Sequence, residues 1–313
     1  ADLYIAHNLQ ALPAAYRAAQ THGSILGFDA EDFHRGQFFP EEESLLKTLT
    51  KEVEETYIPL CGHVTAASKG IAQAYRDVIH VPEPDVVLNV FPLDQQKGHT
   101  PIEELETERP PDGVISLYWY SQTIGPNRGL LDAVEALSDL DDHIHLTLRG
   151  RWADGFKNEL LGRAHDLGVD HRTRIFPQAP PDQLIERAAQ HDIGLALERV
   201  SKVNWDLCIS NKILSYLLAG IPIVATDTTG QQEIYADQPE ATRLCSVEDP
   251  DSLSVAVNSL VSSSSSLRRA KQAAQKAGNE RYNWEYEQKK LIRSVEQTLK
   301  SANTIEQVKE SSL

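Results

Sequence analysis

The sequence predicts an α/β fold with two domains, each containing a parallel β-sheet. Three observations support this. Short apolar runs typical of buried strands alternate with helical patterns along almost the whole chain, as in proteins with parallel sheets. The 313 residues suffice for about two domains. A polar stretch that begins at Asp94 and continues to Asp112 interrupts the alternation, and we place the domain boundary there.

The N-terminal domain, residues 1–95, is predicted to be Rossmann-like but incomplete. Its four expected strands make up half to two thirds of a doubly wound domain. The chain begins at Ala1 inside an apolar run and has no methionine, so we expect it to be truncated at its N-terminus. The predicted strands cover residues 3–6, 24–28, 64–67 and 85–89, and the predicted helices cover residues 9–20, 41–57 and 69–75.

The C-terminal domain, residues 113–280, is predicted to be a complete Rossmann-like domain of six βα units. Residues 96–112 are expected to be a polar linker, and residues 281–313 a closing helix over 283–299 with a frayed tail. The serines at 262–266 are expected to form a loop at a helix end. The predicted strands cover residues 114–119, 144–148, 174–176, 193–197, 221–225 and 243–245, and the helices 128–138, 155–167, 181–190, 209–218 and 230–236.

Composition excludes several classes of function. The net charge of −16 argues against a general nucleic-acid binder, which needs a basic face. The three cysteines are far apart and have no metal-site spacing, so we expect no metal and a reducing, cytoplasmic location. No apolar run is long enough to cross a membrane. Asp139-Leu140-Asp141 precedes a predicted strand and is interpreted as a turn rather than a metal motif.

The loop after the first strand of the C-terminal domain is a candidate diphosphate site. Gly125 and Gly129 give the backbone freedom to turn, and Arg128 lies between them at the start of a helix. Backbone N–H groups at a helix N-terminus, together with an arginine, attract phosphate. The alternative is an ordinary strand-to-helix turn with a surface arginine.

A second candidate lies at the start of the predicted helix over residues 209–218. Lys212 falls in its first turn, where a positive charge opposes the helix dipole unless an anion is bound nearby. The alternative is a surface lysine whose stem packs on its neighbours. Asn211 and Ser215 lie in the same helix and are included in this candidate site.

A third candidate is the polar loop over residues 226–233, which follows a strand and opens a helix. The N–H groups around Gly230 and Gln231 form a second place for an anion. Glu233 either holds a sugar hydroxyl or simply stabilises the helix N-terminus.

The candidate residues of the N-terminal domain also follow strands. His7 comes directly after the first strand, where it could bind a sugar or stabilise developing charge, although a lone histidine is more often structural. Glu31 and Asp32 follow the second strand beside His34 and Arg35, a composition that suits a base or an acceptor-binding role. The alternative is a solvated loop.

Together these segments resemble the family-4 glycosyltransferases of the GT-B fold. Arg128-Gly129 resembles the basic residue and glycine that grip the donor diphosphate in that family. Residues 216–224, YLLAGIPIV, resemble its "EAMACGxPVV" segment, and residues 226–233, TDTTGQQE, resemble its "SDxGGxxE" loop. In the N-terminal domain, His7-Asn8-Leu9 resembles the "HxHD" turn. The order and spacing of these segments carry the resemblance.

The resemblance implies two Rossmann-like domains that face a cleft. It also implies transfer of a sugar from a nucleotide sugar, with retention of configuration and without metal. The acceptor would be a glycan or a lipid-linked molecule, as in polysaccharide biosynthesis, and the missing N-terminal part would allow peripheral contact with a membrane. The nucleotide sugar is a substrate, and no cofactor is expected. We place catalysis at His7, Glu31 and Asp32, and donor binding at Gly125, Arg128, Gly129, Asn211, Lys212, Ser215, Gly230, Gln231 and Glu233.

The sequence departs from the family at two glutamates that are spaced eight positions apart. Leu207 and Ser215 occupy those positions, and Gln122 replaces an expected arginine. Lys212 and Glu198 are candidates to compensate. Two alternatives therefore stay open, namely a catalytically degenerate relative that binds nucleotides or glycans, and a GT-B sugar-nucleotide epimerase.

Overall fold

The computed structural model describes residues 1–98 and 100–311, and it confirms an α/β fold with two parallel sheets. His99 of the predicted linker and Ser312 and Leu313 of the predicted tail lie outside the described residues. The strands are β1 (Leu3–Ala6), β2 (Ile25–Ala30), β3 (His63–Ala66), β4 (Asp85–Val86), β5 (Ile115–Ile124), β6 (Ile144–Trp152), β7 (Thr173–Phe176), β8 (Ile193–Ala196), β9 (Ile223–Thr226) and β10 (Thr242–Cys245). The α-helices are α1 (Leu12–His22), α2 (Leu45–Tyr57), α3 (Lys69–Ile79), α4 (Ile102–Glu108), α5 (Leu130–Ser138), α6 (Phe156–Asp166), α7 (Leu184–Ala188), α8 (Val203–Leu207), α9 (Asn211–Ala219), α10 (Thr229–Asp237), α11 (Pro250–Val261), α12 (Ser264–Glu280) and α13 (Trp284–Ser311).

The chain folds into two compact units. The C-unit comprises Val90–Val200 and Ile209–Trp284. The N-unit comprises Ala1–Asn89, Ser201–Cys208 and the segment that begins at Glu285. The chain therefore leaves the C-unit after β8, forms α8 within the N-unit and returns to the C-unit before α9.

The N-unit contains a four-stranded sheet in the order β1-β2-β3-β4, with parallel neighbours throughout. Its core consists of fully buried side chains such as Leu12, Phe28, Ile71 and Tyr75. Because each strand pairs with the next one in sequence, the chain moves across this sheet in a single direction. The carboxyl ends of β1, β2 and β3 consequently lie side by side at one edge.

The C-unit contains a six-stranded parallel sheet in the order β10-β9-β8-β5-β6-β7. The chain runs outward from β5 to β7, returns to the other side of β5 as β8, and continues outward to β10. The order of the strands therefore reverses between β5 and β8. The core around these strands includes the buried side chains of Trp119, Leu146, Ile193 and Val224.

Helix α9 leads directly into β9, as the sequence predicts. It ends at Gly220, which adopts a left-handed conformation with φ of 75°. The N–H groups of Gly220 and Ile221 donate to the carbonyls of Leu217 and Tyr216. Glycine suits this position because it carries no Cβ to clash in the left-handed region.

Several regions differ from the predictions, which did not include α8 and α11. The acidic linker contains α4, because glutamate is a good helix former and buried arginines Arg149 and Arg187 pair with Glu108 on that helix. The serine run opens α12 instead of ending a helix, because the Ser263 side chain caps it by accepting from the N–H of Ser266. The closing helix α13 continues to Ser311 through residues with neither glycine nor proline.

Within the described ranges, no helix combines the length and the apolar character needed to cross a membrane.

Candidate functional site

The topology of the C-unit predicts where a ligand binds. In open parallel sheets, ligands bind beyond the carboxyl ends of the strands, at the point where the strand order reverses. Here that point lies between β5 and β8. The segments that follow β5, β8 and the neighbouring β9 carry most of the predicted donor residues.

Gly129 brings the loop after β5 against the end of β8. Its φ is 65°, and a Cβ at this position would lie 2.5 Å from the Cβ and 2.9 Å from the carbonyl oxygen of Leu197. Any larger residue would therefore clash with Leu197 and strain the backbone. Gly129 holds its neighbour Arg128 next to the residue that follows Leu197, which is Glu198.

Glu198 is the centre of a nearly buried charge cluster. The Nζ of Lys212 lies 2.6 Å from its Oε1, and the Ser210 hydroxyl donates to the same oxygen at 2.9 Å. The side chains of Lys212 and Glu198 are only 11% and 18% exposed. Burial alone would raise the pKa of Glu198, but Lys212, Ser210 and Arg128 together hold that pKa below its ordinary value. The carboxylate is therefore ionised in the folded protein.

The start of helix α10 contacts Ser210 through the side chain of Gln231. Its N-cap residue Thr228 accepts from the N–H of Gln231, and the Oε1 of Gln231 accepts from the N–H of Ser210. Gln231 is fully buried, yet its Nε2 has no partner within the described part of the chain. A buried unpaired amide is costly, and a bound ligand would satisfy it.

The structure therefore brings Arg128, Gly129, Lys212 and Gln231 together around Glu198. Ser215 is different, because its buried hydroxyl bonds to the hydroxyl of Tyr120 at 2.7 Å and to the carbonyl of Lys212.

The other predicted donor residues lie near helix starts. Asn211 is exposed at the first position of α9, while Gly230 is buried and Glu233 half-buried in α10. Gly125 faces the residue that follows β6, because a Cβ there would lie 3.0 Å from the Cβ of Ala153. That these four residues bind the donor stays a prediction.

In the N-unit, two of the predicted catalytic residues meet at the edge of the sheet. The Nδ1 of His7, after β1, lies 2.9 Å from the Oδ2 of Asp29 in β2, and its Nε2 lies 3.3 Å from Glu31. The Thr65 hydroxyl of β3 donates to the other oxygen of Asp29 at 2.7 Å. The His7 side chain is 69% exposed, so a bound molecule can reach it.

Asp32 has a different environment. Its carboxylate accepts from the Nδ2 of Asn204 on α8 at 2.7 Å and from the Nε2 of Gln37 at 2.9 Å. The Oδ1 of Asn204 in turn accepts from the N–H of Phe33 at 2.7 Å. In this arrangement Asp32 anchors α8 within the N-unit, and the structure shows no contact between its carboxylate and His7.

The candidate residues predicted from the sequence did not include Asp29 or Thr65, and Glu198 was considered only as a substitute. The second strand was predicted to end at residue 28, whereas β2 continues to Ala30, which places Asp29 beside Thr65 of β3. Glu198 gave a clearer signal, because it is a charged residue at the carboxyl end of an apolar strand. Among the residues that the structure describes, no group of three or more His, Cys, Asp or Glu side chains could hold a metal ion.

Comparison with known families gives a match over most of the C-unit. Residues 118–263 match the sequence model of the family described as glycosyl transferases group 1. No curated protein sequence matches the chain.

Solved structures with the GT-B fold are similar to nearly the whole chain. HepE from Anabaena in complex with UDP is 16% identical with a TM-score of 0.75, over 95% of this chain and 79% of that one. A glycosyltransferase from Rickettsia africae is 16% identical with a TM-score of 0.74, over 96% and 77%. Sucrose-phosphate synthase from Thermosynechococcus elongatus is 14% identical with a TM-score of 0.72, over 99% and 74%. At these identities the likeness establishes the fold, and the family match identifies a glycosyltransferase domain.

Proposed function

We propose that this enzyme, whose residues 118–263 form a group 1 glycosyltransferase domain, transfers a sugar from a nucleoside diphosphate sugar to a hydroxyl group of an acceptor. The proposed acceptor is a glycan or a lipid-linked molecule. HepE, one of the similar structures, was solved with UDP and with UDP-glucose, which makes UDP the first nucleotide to test.

One observation carries the proposal. Arg128 and Lys212 lie beside Glu198 at the point where the strand order reverses, and Ser210 links Glu198 to Gln231, whose buried Nε2 is unpaired. A diphosphate carries several negative oxygens, which need charged donors and N–H groups in a site with little water. Arg128 and Lys212 would bind those oxygens, and Gly129 would let the backbone approach them.

The N-unit would contribute the acceptor side. His7 is open to solvent while Asp29 and Glu31 hold its two ring nitrogens, so the ring has a defined orientation. In that orientation His7 would bind an acceptor hydroxyl or stabilise charge that develops during transfer.

The proposal includes retention of the anomeric configuration, activity without a bound metal and a cytoplasmic location. Retention rests on the resemblance of the motifs to family-4 enzymes. Metal independence is supported by Arg128 and Lys212, whose charges can stabilise a departing diphosphate. A role in polysaccharide biosynthesis follows from the same resemblance.

A calorimetric titration of the chain with UDP, GDP and ADP, without metal and then with Mg²⁺, tests the donor site. We expect one nucleotide to bind without metal with a micromolar dissociation constant. Arg128→Ala should weaken that binding by about 1.5–3 kcal/mol, the range for a hydrogen bond to a charged group. Arg163→Ala is the matched control, because Arg163 is an exposed arginine of the same unit that pairs with Glu135.

Binding of none of the three nucleotides would refute the donor site. Equal affinities in the Arg128 and Arg163 variants would remove Arg128 from it. With the nucleotide identified, the anomeric proton of the transferred sugar, followed by NMR, distinguishes retention from inversion.

A second candidate is a relative that binds nucleotides without turnover. The burial of Ser215 against Tyr120 favours it, because the family resemblance places a ribose-binding glutamate at that position. Tight nucleotide binding with no release of UDP from UDP-glucose, with water or a glycan as acceptor, would support this alternative.

A further inference from the structure

The two carboxylate oxygens of Glu198 have different surroundings. Oε1 receives both the Lys212 ammonium and the Ser210 hydroxyl. Oε2 has no hydrogen-bond partner among the described residues. An ionised carboxylate has about four acceptor positions, and here only those of one oxygen are used.

This free oxygen belongs to a side chain that is mostly removed from water. The Glu198 side chain is 18% exposed, and its positive neighbours keep it ionised. Oε2 is not among the fully buried unpaired atoms, so a donor group of a ligand can reach it and form a charge-assisted hydrogen bond.

A carboxylate such as that of Glu198 is unexpected in a site that binds anions. Its negative charge offsets Lys212 and therefore weakens the attraction of the site for phosphate. A ligand that carries both phosphates and hydroxyl groups removes the conflict, because its hydroxyl groups donate to a carboxylate while its phosphates bind the cations.

Gln231 provides a complementary group in the same cluster. Its unpaired Nε2 is a donor, and Ser210 links it to Glu198, since the Ser210 hydroxyl binds Glu198 and the Ser210 N–H binds Gln231. The cluster thus offers one free acceptor and one free donor. A hydroxyl group can both donate and accept, so a ligand with several hydroxyl groups can satisfy either atom.

We propose that Glu198 binds hydroxyl groups of the sugar nucleotide through Oε2 while Oε1 holds Lys212. The inference rests on the proposed function. Hydroxyl pairs occur both on the ribose and on the transferred sugar, and the experiment below distinguishes these two sources.

The test compares affinity ratios in the wild type, Glu198→Gln and Glu198→Asp. The ratio of UDP to 2′-deoxy-UDP reports on the ribose, and the ratio of UDP-glucose to UDP reports on the transferred sugar. Should GDP or ADP be the nucleotide that binds, its 2′-deoxy and glucose derivatives replace these. We expect one ratio to fall about tenfold in Glu198→Gln, because a neutral amide oxygen accepts a hydroxyl less strongly than a carboxylate does.

Glu198→Asp addresses the case in which the Gln variant is too unstable, since an unpaired Lys212 is costly. The aspartate keeps the charge opposite Lys212 but withdraws its oxygens by one methylene. We expect the same ratio to fall, with a thermal unfolding midpoint closer to that of the wild type. Glu248→Gln is the control, because Glu248 is an exposed carboxylate that pairs with Arg199, the residue after Glu198. Both of its ratios should equal those of the wild type.

A fall in the first ratio assigns Glu198 to the ribose, and a fall in the second assigns it to the sugar. Unchanged ratios in both Glu198 variants, with nucleotide still bound, would overturn the inference and leave Glu198 as a partner of Lys212 alone. If the wild type binds no nucleotide, the proposed function itself fails, which is a different and recognisable result.

Discussion

Both units place polar side chains at the carboxyl ends of parallel strands, but they surround them differently. In the C-unit, Lys212 and Glu198 are 11% and 18% exposed and lie where the strand order reverses. In the N-unit, the sheet runs in one direction, and His7 is 69% exposed beside Asp29. The first arrangement removes charges from water before any ligand arrives, whereas the second leaves them hydrated.

This difference has an energetic meaning. Charges that are already desolvated interact strongly with an anion and are sensitive to the loss of a single partner. An exposed ion pair contributes little to stability, so its residues are free to rearrange around a bound molecule. We therefore expect substitutions in the C-unit site to affect affinity and stability together, and substitutions at the N-unit edge to affect turnover alone.

The largest effect should come from disturbing the C-unit sheet itself. A Cβ at Gly194 in β8 would lie 2.2 Å from the ring of Tyr216, so Gly194→Ala should cost about 3 kcal/mol or more. Gly162→Ala in α6 is the control. Nothing lies within 4 Å of its added Cβ, and it should raise stability by about 0.5–1 kcal/mol. Urea denaturation measures both, and a loss below about 1 kcal/mol at Gly194 would show that Tyr216 can move.

The next effect tests the desolvated pair. Lys212→Ala should weaken nucleoside diphosphate binding by about 1.5–3 kcal/mol, because it removes a charged donor and leaves Glu198 to repel the phosphates. Lys271→Ala is a suitable control, since Lys271 also pairs with a carboxylate of the C-unit, Asp192. Calorimetric titration of the two variants with the nucleotide measures the difference in affinity. Equal affinities would mean that Lys212 has only a structural role.

The sequence predicted the features that depend on local hydrophobic patterns better than those that depend on contacts between distant side chains. Hydrophobic alternation located all ten strands of the described residues, since burial imposes a pattern on neighbouring residues. It missed α8, α11 and α4, of which α4 depends on distant arginines such as Arg149. It also gave no sign of the hydrogen bond between the hydroxyl groups of Ser215 and Tyr120, which lie 95 positions apart. Side-chain pairs between remote segments, such as His7 with Asp29, leave no local signature.

A buried histidine of the C-unit should make its stability depend on pH. His191 stacks on Tyr118 with ring centroids 4.2 Å apart, and burial with nearby Arg149, Arg174 and Lys271 lowers its pKa to about 3. The unfolded chain binds a proton below its ordinary pKa of 6.5, whereas the folded one does not, so this contribution is full above pH 6.5 and declines towards pH 3.

Acidification from pH 7.5 to 5 should therefore cost about 2 kcal/mol through His191. Urea denaturation at both pH values checks this. His191→Gln should reduce the pH dependence by that amount, and an unchanged dependence would show that His191 is protonated in the folded state.

The smallest expected effect on stability is at the edge of the N-unit. His7→Ala removes a side chain that is 69% exposed, and its contacts with Asp29 and Glu31 are solvated, so unfolding in urea should change by less than about 0.5 kcal/mol. Nucleotide affinity should also stay the same, while turnover should fall, because His7 would act on the acceptor or on developing charge. Asp29→Asn should lower turnover in the same way if it orients the ring, since it weakens the contact with Nδ1. A loss of nucleotide affinity in His7→Ala would instead assign His7 to the donor, and the contrast between a desolvated donor site and a hydrated acceptor edge would no longer hold.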